Sequence, residues 1–390
     1  MTVRRFRGAA FAFLTLACAA TPAAAMSAHD EALVERGMDA LYRSDYDGAE
    51  KLFKDEMAAR PGEPVPSLGY ATAAWWRMEN DFALPGSDDE KRFSSAIGKA
   101  IEDAEASGKS GKKGEADFYL GAAYGLRGRW EASQRHWMRA YFDGRKAYKL
   151  EKKALKLEPT LYDADLGVGA FDYYLATLSR VIRALAFTSG GNREKGLAEL
   201  QLAADYGRFG KVAAKLLIVG IDWTFERKPR EAFESIEKLR AEFPDSPFIE
   251  TMRLIGLYQL RDGPRLEREA RLFLKNAEDG ARFYLPLDKA MGRYFVGLGE
   301  QLDGRYAEAL AEYRAALAML PPVHRARGLL ELFIGEALDL QGKRAQAVAS
   351  YRAALQEPPM WGVPKYAERL IDKPFRSGDD PLPSRGSTLQ

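Results

Sequence analysis

The sequence predicts an all-α protein, built as a right-handed solenoid of antiparallel helical hairpins. Three features predict it: one spacing pattern recurs five times, proline closes most of the repeated units, and no useful length of chain alternates as a strand does. Hydrophobic residues make up 46% of the 390 residues and charged residues 29%, as in folded proteins. A solenoid suits this length, because it grows by adding repeats rather than by enlarging one core.

The repeated pattern is anchored on five glycines. The anchors are Gly37, Gly121, Gly220, Gly297 and Gly335. Twelve residues after each anchor stand the small residues Ala49, Ser133, Ala232, Ala309 and Ala347. Sixteen residues after each anchor stand the large residues Phe53, Trp137, Ile236, Tyr313 and Tyr351. Four units then end in proline, at Pro61, Pro244, Pro321 and Pro359, while the second unit has Arg145 instead.

This spacing predicts two packed helices in each unit. The glycine lets the second helix approach the first, and the small and large residues that follow, four apart, share one face of the second helix. Proline ends the unit because it cannot continue the helical hydrogen-bond ladder. Turns between the helices are predicted at residues 303–306 and 341–344, and at residues 128–130 in the second unit.

The pattern resembles the tetratricopeptide repeat family. Residues 297–321 and 335–359 match it best, followed by 216–244, then 33–61, with 118–140 partial. The anchors are 84, 99, 77 and 38 residues apart, whereas the family repeats about every 34 residues. We therefore expect the wide gaps to contain degenerate repeats, helix extensions or insertions. The resemblance implies a scaffold that binds another protein.

A narrower resemblance covers residues 160–208. Residues 161–169 (LYDADLGVG) and 171–174 (FDYY), followed by 190–196 (GGNREKG) and 203–207 (AADYG), are similar to a subgroup of bacterial tetratricopeptide proteins. That subgroup is related to eukaryotic inclusion-body-clearance proteins.

The first 25 residues are predicted to be a secretory signal. Arg4, Arg5 and Arg7 precede an uncharged, mostly apolar run at residues 8–20, and three alanines end at Ala25. The run is shorter than the roughly 20 residues that span a bilayer. The expected location is the periplasm. Two alternatives are a retained N-terminal anchor and a lipoprotein signal with lipid attached at Cys18.

The rest of the chain is predicted to be a helical-repeat domain over residues 26–372 and a flexible tail over 373–390. Residues 107–114 (SGKSGKKG) are predicted to be a polar, flexible connection within that domain. Without the three arginines of the signal, the chain has 55 basic and 56 acidic side chains. This balance gives no electrostatic reason to expect a nucleic-acid or an anionic-membrane partner.

The sequence predicts no catalytic residue, metal site or cofactor, and we do not expect an enzyme. Cys18 is the only cysteine and lies in the predicted signal. His29, His136 and His324 are far apart in sequence and occur in no known metal-binding spacing. The stretch Gly108-Lys109-Ser110 lacks the earlier glycine of a phosphate-binding loop.

The family resemblance places the first helix of each repeat on a concave surface, and here that helix carries apolar residues. The candidate groove consists of Met38, Tyr42, Phe118, Leu217, Ile221, Phe225, Tyr294, Leu298 and Leu332. No asparagine follows any anchor, so the tetratricopeptide clamp for acidic peptide tails is not expected. Two alternatives stay open: the groove binds an apolar helix, peptide or lipid-like ligand, or the protein's own helices fill it.

A second candidate surface is the apolar stretch at residues 173–187, which would either lie on a membrane or pack against neighbouring helices. We favour packing. The predicted function is an exported scaffold for protein–protein interaction, acting in envelope assembly and without catalysis. The alternative is a carrier of an apolar ligand, or a protein bound to a membrane surface.

Overall fold

The computed structural model describes residues 26–82, 84, 86–110, 113–177, 191–360 and 362–379. Within these ranges the chain forms seventeen α-helices and no strand. The helices are α1 (Ala28–Tyr42), α2 (Tyr46–Ala59), α3 (Pro64–Asn80), α4 (Asp88–Lys109), α5 (Lys113–Ser133), α6 (Trp137–Leu157), α7 (Asp163–Thr177), α8 (Arg193–Tyr206), α9 (Lys211–Ile221), α10 (Pro229–Glu242), α11 (Pro247–Gln259), α12 (Gly263–Glu278), α13 (Pro286–Leu302), α14 (Tyr306–Met319), α15 (Ala326–Leu340), α16 (Arg344–Ala354) and α17 (Val363–Asp372). A π-helical turn, Asp222–Glu226, extends α9. The predicted signal, with Cys18, lies outside the described residues.

Several helix starts are fixed by local sequence. The side chains of Ser27, Ser87 and Ser246 accept hydrogen bonds from backbone N–H groups at the starts of α1, α4 and α11. These contacts satisfy donors that the helix itself leaves unpaired. In the loops before α14 and α16, Gly304 and Gly342 adopt positive φ angles of 78° and 74°, which glycine tolerates without steric cost.

The helices form two layers. Each helix packs against the next one along the chain. Contacts between successive odd-numbered helices join α1 to α3, α3 to α5, α5 to α7, α7 to α9, α11 to α13, and α15 to α17. The odd-numbered helices therefore form the inner layer, and the even-numbered helices pack outside them. This arrangement confirms the predicted all-α solenoid of helical hairpins.

The glycine anchors lie at the hairpin contacts in three units. A Cβ atom on Gly37, Gly297 or Gly335 would lie 2.1, 2.6 or 2.3 Å from the ring of the aromatic residue sixteen positions later. The wide gaps between anchors contain three further hairpins, α3–α4, α7–α8 and α11–α12. Of the three alternatives expected for the gaps, namely degenerate repeats, helix extensions and insertions, the added hairpins correspond to degenerate repeats.

The predicted turn at residues 128–130 is wrong. Helix α5 continues to Ser133, and the turn follows at residues 134–136, where Arg135 has a φ of 61°. Gly128 instead lies inside α5, where a Cβ atom would be 3.2 Å from the Asp143 Cβ. Close helix approach, rather than a turn, accounts for this glycine.

The predicted connection at residues 107–114 is also shorter than expected. Helix α4 continues to Lys109 and α5 begins at Lys113. At the C-terminal end, Phe375 is 5% exposed and its N–H donates to Asp339 Oδ2 at 2.8 Å. The third residue of the segment predicted as a flexible tail is therefore packed against the domain.

The curved solenoid brings its N-terminal hairpins against its middle and its C-terminal part. The ring of Tyr42 lies 5.5 Å from that of Phe243, and the ring of Trp76 lies 4.9 Å from that of Phe248. Ser246 Oγ donates to the Tyr42 carbonyl. We call this contact between helices α1–α3 and residues 243–248 the closing contact.

Candidate partner-binding surfaces

The nine candidate groove residues lie inside the structure rather than along an open surface. Five of them are at most 5% exposed: Tyr42, Ile221, Tyr294, Leu298 and Leu332. The other four, Met38, Phe118, Leu217 and Phe225, are partly buried against apolar neighbours. In this conformation the protein's own helices therefore fill the positions predicted for a partner.

The nine residues do not form one site, because they belong to three separate apolar clusters. Met38, Tyr42 and Phe118 belong to the N-terminal cluster, which the closing contact covers. Leu217, Ile221 and Phe225 pack around Tyr173, whose ring lies 5.9 Å from that of Phe225. Tyr294, Leu298 and Leu332 belong to the C-terminal core, where the rings of Tyr294 and Phe333 are 5.2 Å apart.

An open cleft lies on the outer side, between α4 and α6. Its volume is about 580 Å³, within the range of small-molecule pockets. The floor is apolar and buried: the rings of Phe93 (α4) and Trp130 (α5) meet edge to face at 5.9 Å, beside Ile97. Residues of α4, α5 and the start of α6 line the cleft together.

The rim of this cleft is polar. Glu90, Lys91, Ser94 and Ser95 come from α4, Arg127 and Glu131 from α5, and His136 and Arg139 from the turn and the start of α6.

Ion pairs hold several of these rim side chains in place. Arg127 donates two hydrogen bonds to Asp143, at 2.7 and 2.6 Å, which raises the pKa of the guanidinium. His136 Nδ1 lies 2.7 Å from Glu131 Oε2. Side chains fixed in this way present hydrogen-bonding groups around an apolar floor without having to be ordered when a partner binds.

The segment that resembles the bacterial subgroup has a structural role. The Asp163 carboxylate accepts backbone hydrogen bonds from Arg208, Phe209 and Gly210, at 3.1, 2.8 and 2.6 Å. It therefore fixes the loop that leads into α9. Gly169 lies against α8, since a Cβ atom there would be 2.7 Å from the Gly196 carbonyl oxygen.

Acidic side chains are buried between α6, α7 and α8. Glu151 is 3% exposed, and its Oε2 has no hydrogen-bond partner among the described residues. Burial raises the pKa of Glu151 well above its ordinary value, and the charge of Asp165 adds to the effect. Burial, followed by the charge of Glu199, raises the pKa of Asp165 to about 6. Gly167 packs on Glu151, because a Cβ there would lie 2.1 Å from Glu151 Oε2.

The three histidines lie far apart in the fold as well as in sequence. His29 pairs with Glu56 at 2.8 Å, His136 belongs to the cleft rim, and the ring of His324 lies 6.1 Å from that of Phe82. Across the described ranges, no group of three or more His, Cys, Asp or Glu residues is arranged to hold a metal ion.

The second candidate surface, residues 173–187, begins at the end of α7. Of these, residues 178–187 lie outside the described residues. Tyr173 and Tyr174, which precede them, pack against the ring of Phe225 at 5.9 and 6.0 Å. No helix in the described part combines the length and the apolar composition needed to cross a membrane.

The hairpin geometry decides the fold type. In three units, a glycine of the inner helix lies under the aromatic residue sixteen positions later, and each inner helix is followed by an outer one. The chain has a tetratricopeptide-like repeat fold. No family model matches the sequence, and no curated protein matches it.

Two solved structures illustrate the similarity. A Rap protein complexed with competence and sporulation factor is 14% identical; the match covers 85% of this chain and 77% of that protein, with a TM-score of 0.41. The tetratricopeptide domain of P58(IPK) is 19% identical; the match covers 84% of each chain, with a TM-score of 0.23. At these levels of similarity, neither match carries information about a partner.

Proposed function

We propose that this protein is an exported scaffold that binds a protein or peptide partner and acts in assembly of the cell envelope. The supporting observation is the open cleft between α4 and α6, in a fold whose predicted concave groove is filled. The mechanism is shape and polar complementarity at a rigid surface, with no bond chemistry. The buried Phe93 and Trp130 rings form the apolar floor, and the rim determines which partner fits.

The experiment is affinity capture from an envelope extract, followed by mass spectrometry. The bait is the wild-type protein, compared with Ser94→Trp, which fills the cleft from an exposed position on α4. Lys238→Trp, at an exposed position on α10, is the matched control. The proposal expects one protein to be captured by the wild type and by Lys238→Trp, and to be lost with Ser94→Trp.

Two other outcomes would contradict this proposal. Equal capture by all three baits would place the partner elsewhere on the solenoid. Recovery of lipid without protein would favour the alternative, a carrier of an apolar ligand. The cavity beside Tyr294 gives that alternative little support, because its volume of about 10 Å³ has room for about one water molecule.

Export is a separate part of the proposal and rests on residues 1–25. A fusion of the full chain to a reporter that is active only outside the cytoplasm should be active, and removal of residues 1–25 should abolish that activity. A Cys18→Ser variant separates the two kinds of signal. Loss of incorporated fatty acid in this variant would show a lipoprotein, whereas unchanged processing supports ordinary cleavage.

A further inference from the structure

Helix α6 has an unusual distribution of charge. It carries seven basic residues: Arg139, Arg145, Lys146, Lys149, Lys152, Lys153 and Lys156. Its two acidic residues, Asp143 and Glu151, are both buried. The charge that α6 presents to solvent is therefore entirely positive.

Five of the exposed α6 side chains share one line along the outside of the helix. Met138, Phe142, Arg145, Lys149 and Lys156 are spaced by four, three, four and seven residues, which places them on the same side of an α-helix. We call them the α6 stripe. It is about 27 Å long at 1.5 Å per residue. Met138 and Phe142, at its N-terminal end, are 50% and 57% exposed.

The basic side chains of the α6 stripe are not used inside the protein. Arg145, Lys149 and Lys156 are exposed, and no ion pair or hydrogen bond of their side chains exists among the described residues. Their neighbours on α6 are engaged: Lys153 pairs with Asp117 at 2.6 Å, and Lys146 lies 3.9 Å from Glu105. The stripe therefore holds three uncompensated positive charges in a row.

The exposed, unpaired positive charge of α6 is not a general property of the outer helices of this solenoid. Helix α12 alternates four basic residues with Glu267, Glu269 and Glu278, and α4 begins with Asp88, Asp89 and Glu90 beside Lys91. Their charges pair locally, as in Lys275 with Asp279. Mixed charge is the ordinary condition of a solvated helix face, so α6 departs from it.

We propose that the α6 stripe binds the surface of an anionic lipid membrane. Basic residues near an anionic lipid surface each contribute on the order of 1 kcal/mol of attraction, and the three basic residues of the stripe belong to a helix with seven. The stripe lies on an outer helix, so it forms a ridge that a flat surface can reach. Exposed Met138 and Phe142 add apolar side chains that can enter the interface, which favours a membrane over a nucleic acid.

The test is flotation of the purified protein with lipid vesicles. One set of vesicles contains phosphatidylglycerol, and the other contains phosphatidylcholine alone. The stripe variant is Arg145→Gln, Lys149→Gln and Lys156→Gln together. The control is Lys238→Gln, Arg268→Gln and Lys275→Gln, three exposed basic residues on α10 and α12. The difference between the two variants is the readout, so an N-terminal lipid or signal would not affect the conclusion.

The stripe variant should bind anionic vesicles on the order of a hundredfold more weakly than the control. Raising the salt concentration to about 0.5 M should remove most of that difference, because salt screens exposed charges. Equal binding of both variants, or equal binding to both kinds of vesicle, would overturn the proposal. If the protein binds a nucleic-acid duplex more tightly than it binds anionic vesicles, and the stripe variant loses that binding, the stripe is assigned to nucleic acid instead. None of these outcomes depends on the α4–α6 cleft.

Discussion

Gly335 lies directly under the ring of Tyr351, and this contact joins the two helices of the last hairpin. A Cβ atom at Gly335 would lie 2.3 Å from Tyr351 Cε1, and both residues are buried. No side chain larger than hydrogen fits without moving α15 away from α16. At Gly37, Gly297 and Gly335 the glycine anchor is therefore a requirement of close packing rather than of chain flexibility.

Gly335→Ala should destabilise the protein. The added methyl group must displace a fully buried tyrosine ring, and overpacking of this kind costs about 1–3 kcal/mol. The measurement is the free energy of unfolding in urea, together with hydrogen exchange of α15 and α16. Exchange should increase in this hairpin first, because each repeat of a solenoid depends mainly on its neighbours.

Gly220→Ala is the matched control, because a Cβ atom on this anchor would meet no neighbouring atom within 4 Å. Alanine inside a helix is more stable than glycine by roughly 0.5–1 kcal/mol, so this variant should gain stability. A loss in both variants would show that the anchors act through something other than the contact with the second helix.

The sequence pattern predicts the hairpins well, because each depends on residues within one repeat. It fails in the second unit, where α5 and α6 are 21 residues each and Gly121 faces Glu151 rather than Trp137. A small residue on the first helix can pack equally closely against Glu151 or Trp137. The spacing alone therefore cannot predict which of the two it contacts.

The sequence left open whether the protein's own helices fill the groove, because the contacts that bury it join distant repeats. Tyr42 is buried by Phe243, about two hundred positions later in the chain, through the curvature of the whole solenoid. The α4–α6 cleft was missed because its residues come from the outer layer, whereas the family resemblance favours the inner one. The sequence of α6 carries seven basic and two acidic residues, and only the burial of Asp143 and Glu151 shows that its exposed charge is positive.

Tyr294→Ser and Phe225→Ser should separate a core role from a binding role. Tyr294 is 5% exposed, and truncation of a buried aromatic residue costs about 3–5 kcal/mol. Phe225 is only partly buried, so its loss should cost less. The measurements are thermal unfolding and the envelope capture described above. Loss of capture at unchanged stability would show that these positions face a partner.

Phe248→Ala should loosen the closing contact. Its ring lies 4.9 Å from that of Trp76, at the point where α3 meets the start of α11. Removing the ring leaves α1–α3 held to this region by the Tyr42–Phe243 contact and by polar contacts, so faster hydrogen exchange in these helices and a larger radius of gyration are expected. Leu272→Ala, at an exposed position of α12, is the control. An unchanged radius with unchanged exchange would mean that these remaining contacts are enough to keep the solenoid closed.

Glu151→Gln should stabilise the protein, and the gain should grow with pH. Burial and the charge of Asp165 raise the folded-state pKa of Glu151 above its ordinary value of 4.5. Between the two pKa values the folded state binds more protons than the unfolded state, so this residue lowers stability as pH rises. Glutamine keeps the shape of the side chain but cannot ionise. The gain should be small at pH values below 4.5 and reach roughly 1–3 kcal/mol where Glu151 would be charged.

Glu56→Gln is a control whose expected effect on stability is opposite in sign to that of Glu151→Gln. Hydrogen bonds from His29 and Arg60 lower the pKa of Glu56, so its contribution to stability is present above pH 4.5 and is lost as pH falls through the folded-state pKa. This variant should be less stable than wild type near neutral pH. In acid, its free energy of unfolding should approach that of wild type. The measurement is the unfolding free energy of both variants and wild type between about pH 4 and pH 8. Parallel curves for Glu151→Gln and wild type would show that Glu151 keeps the same protonation state in the folded and unfolded chain.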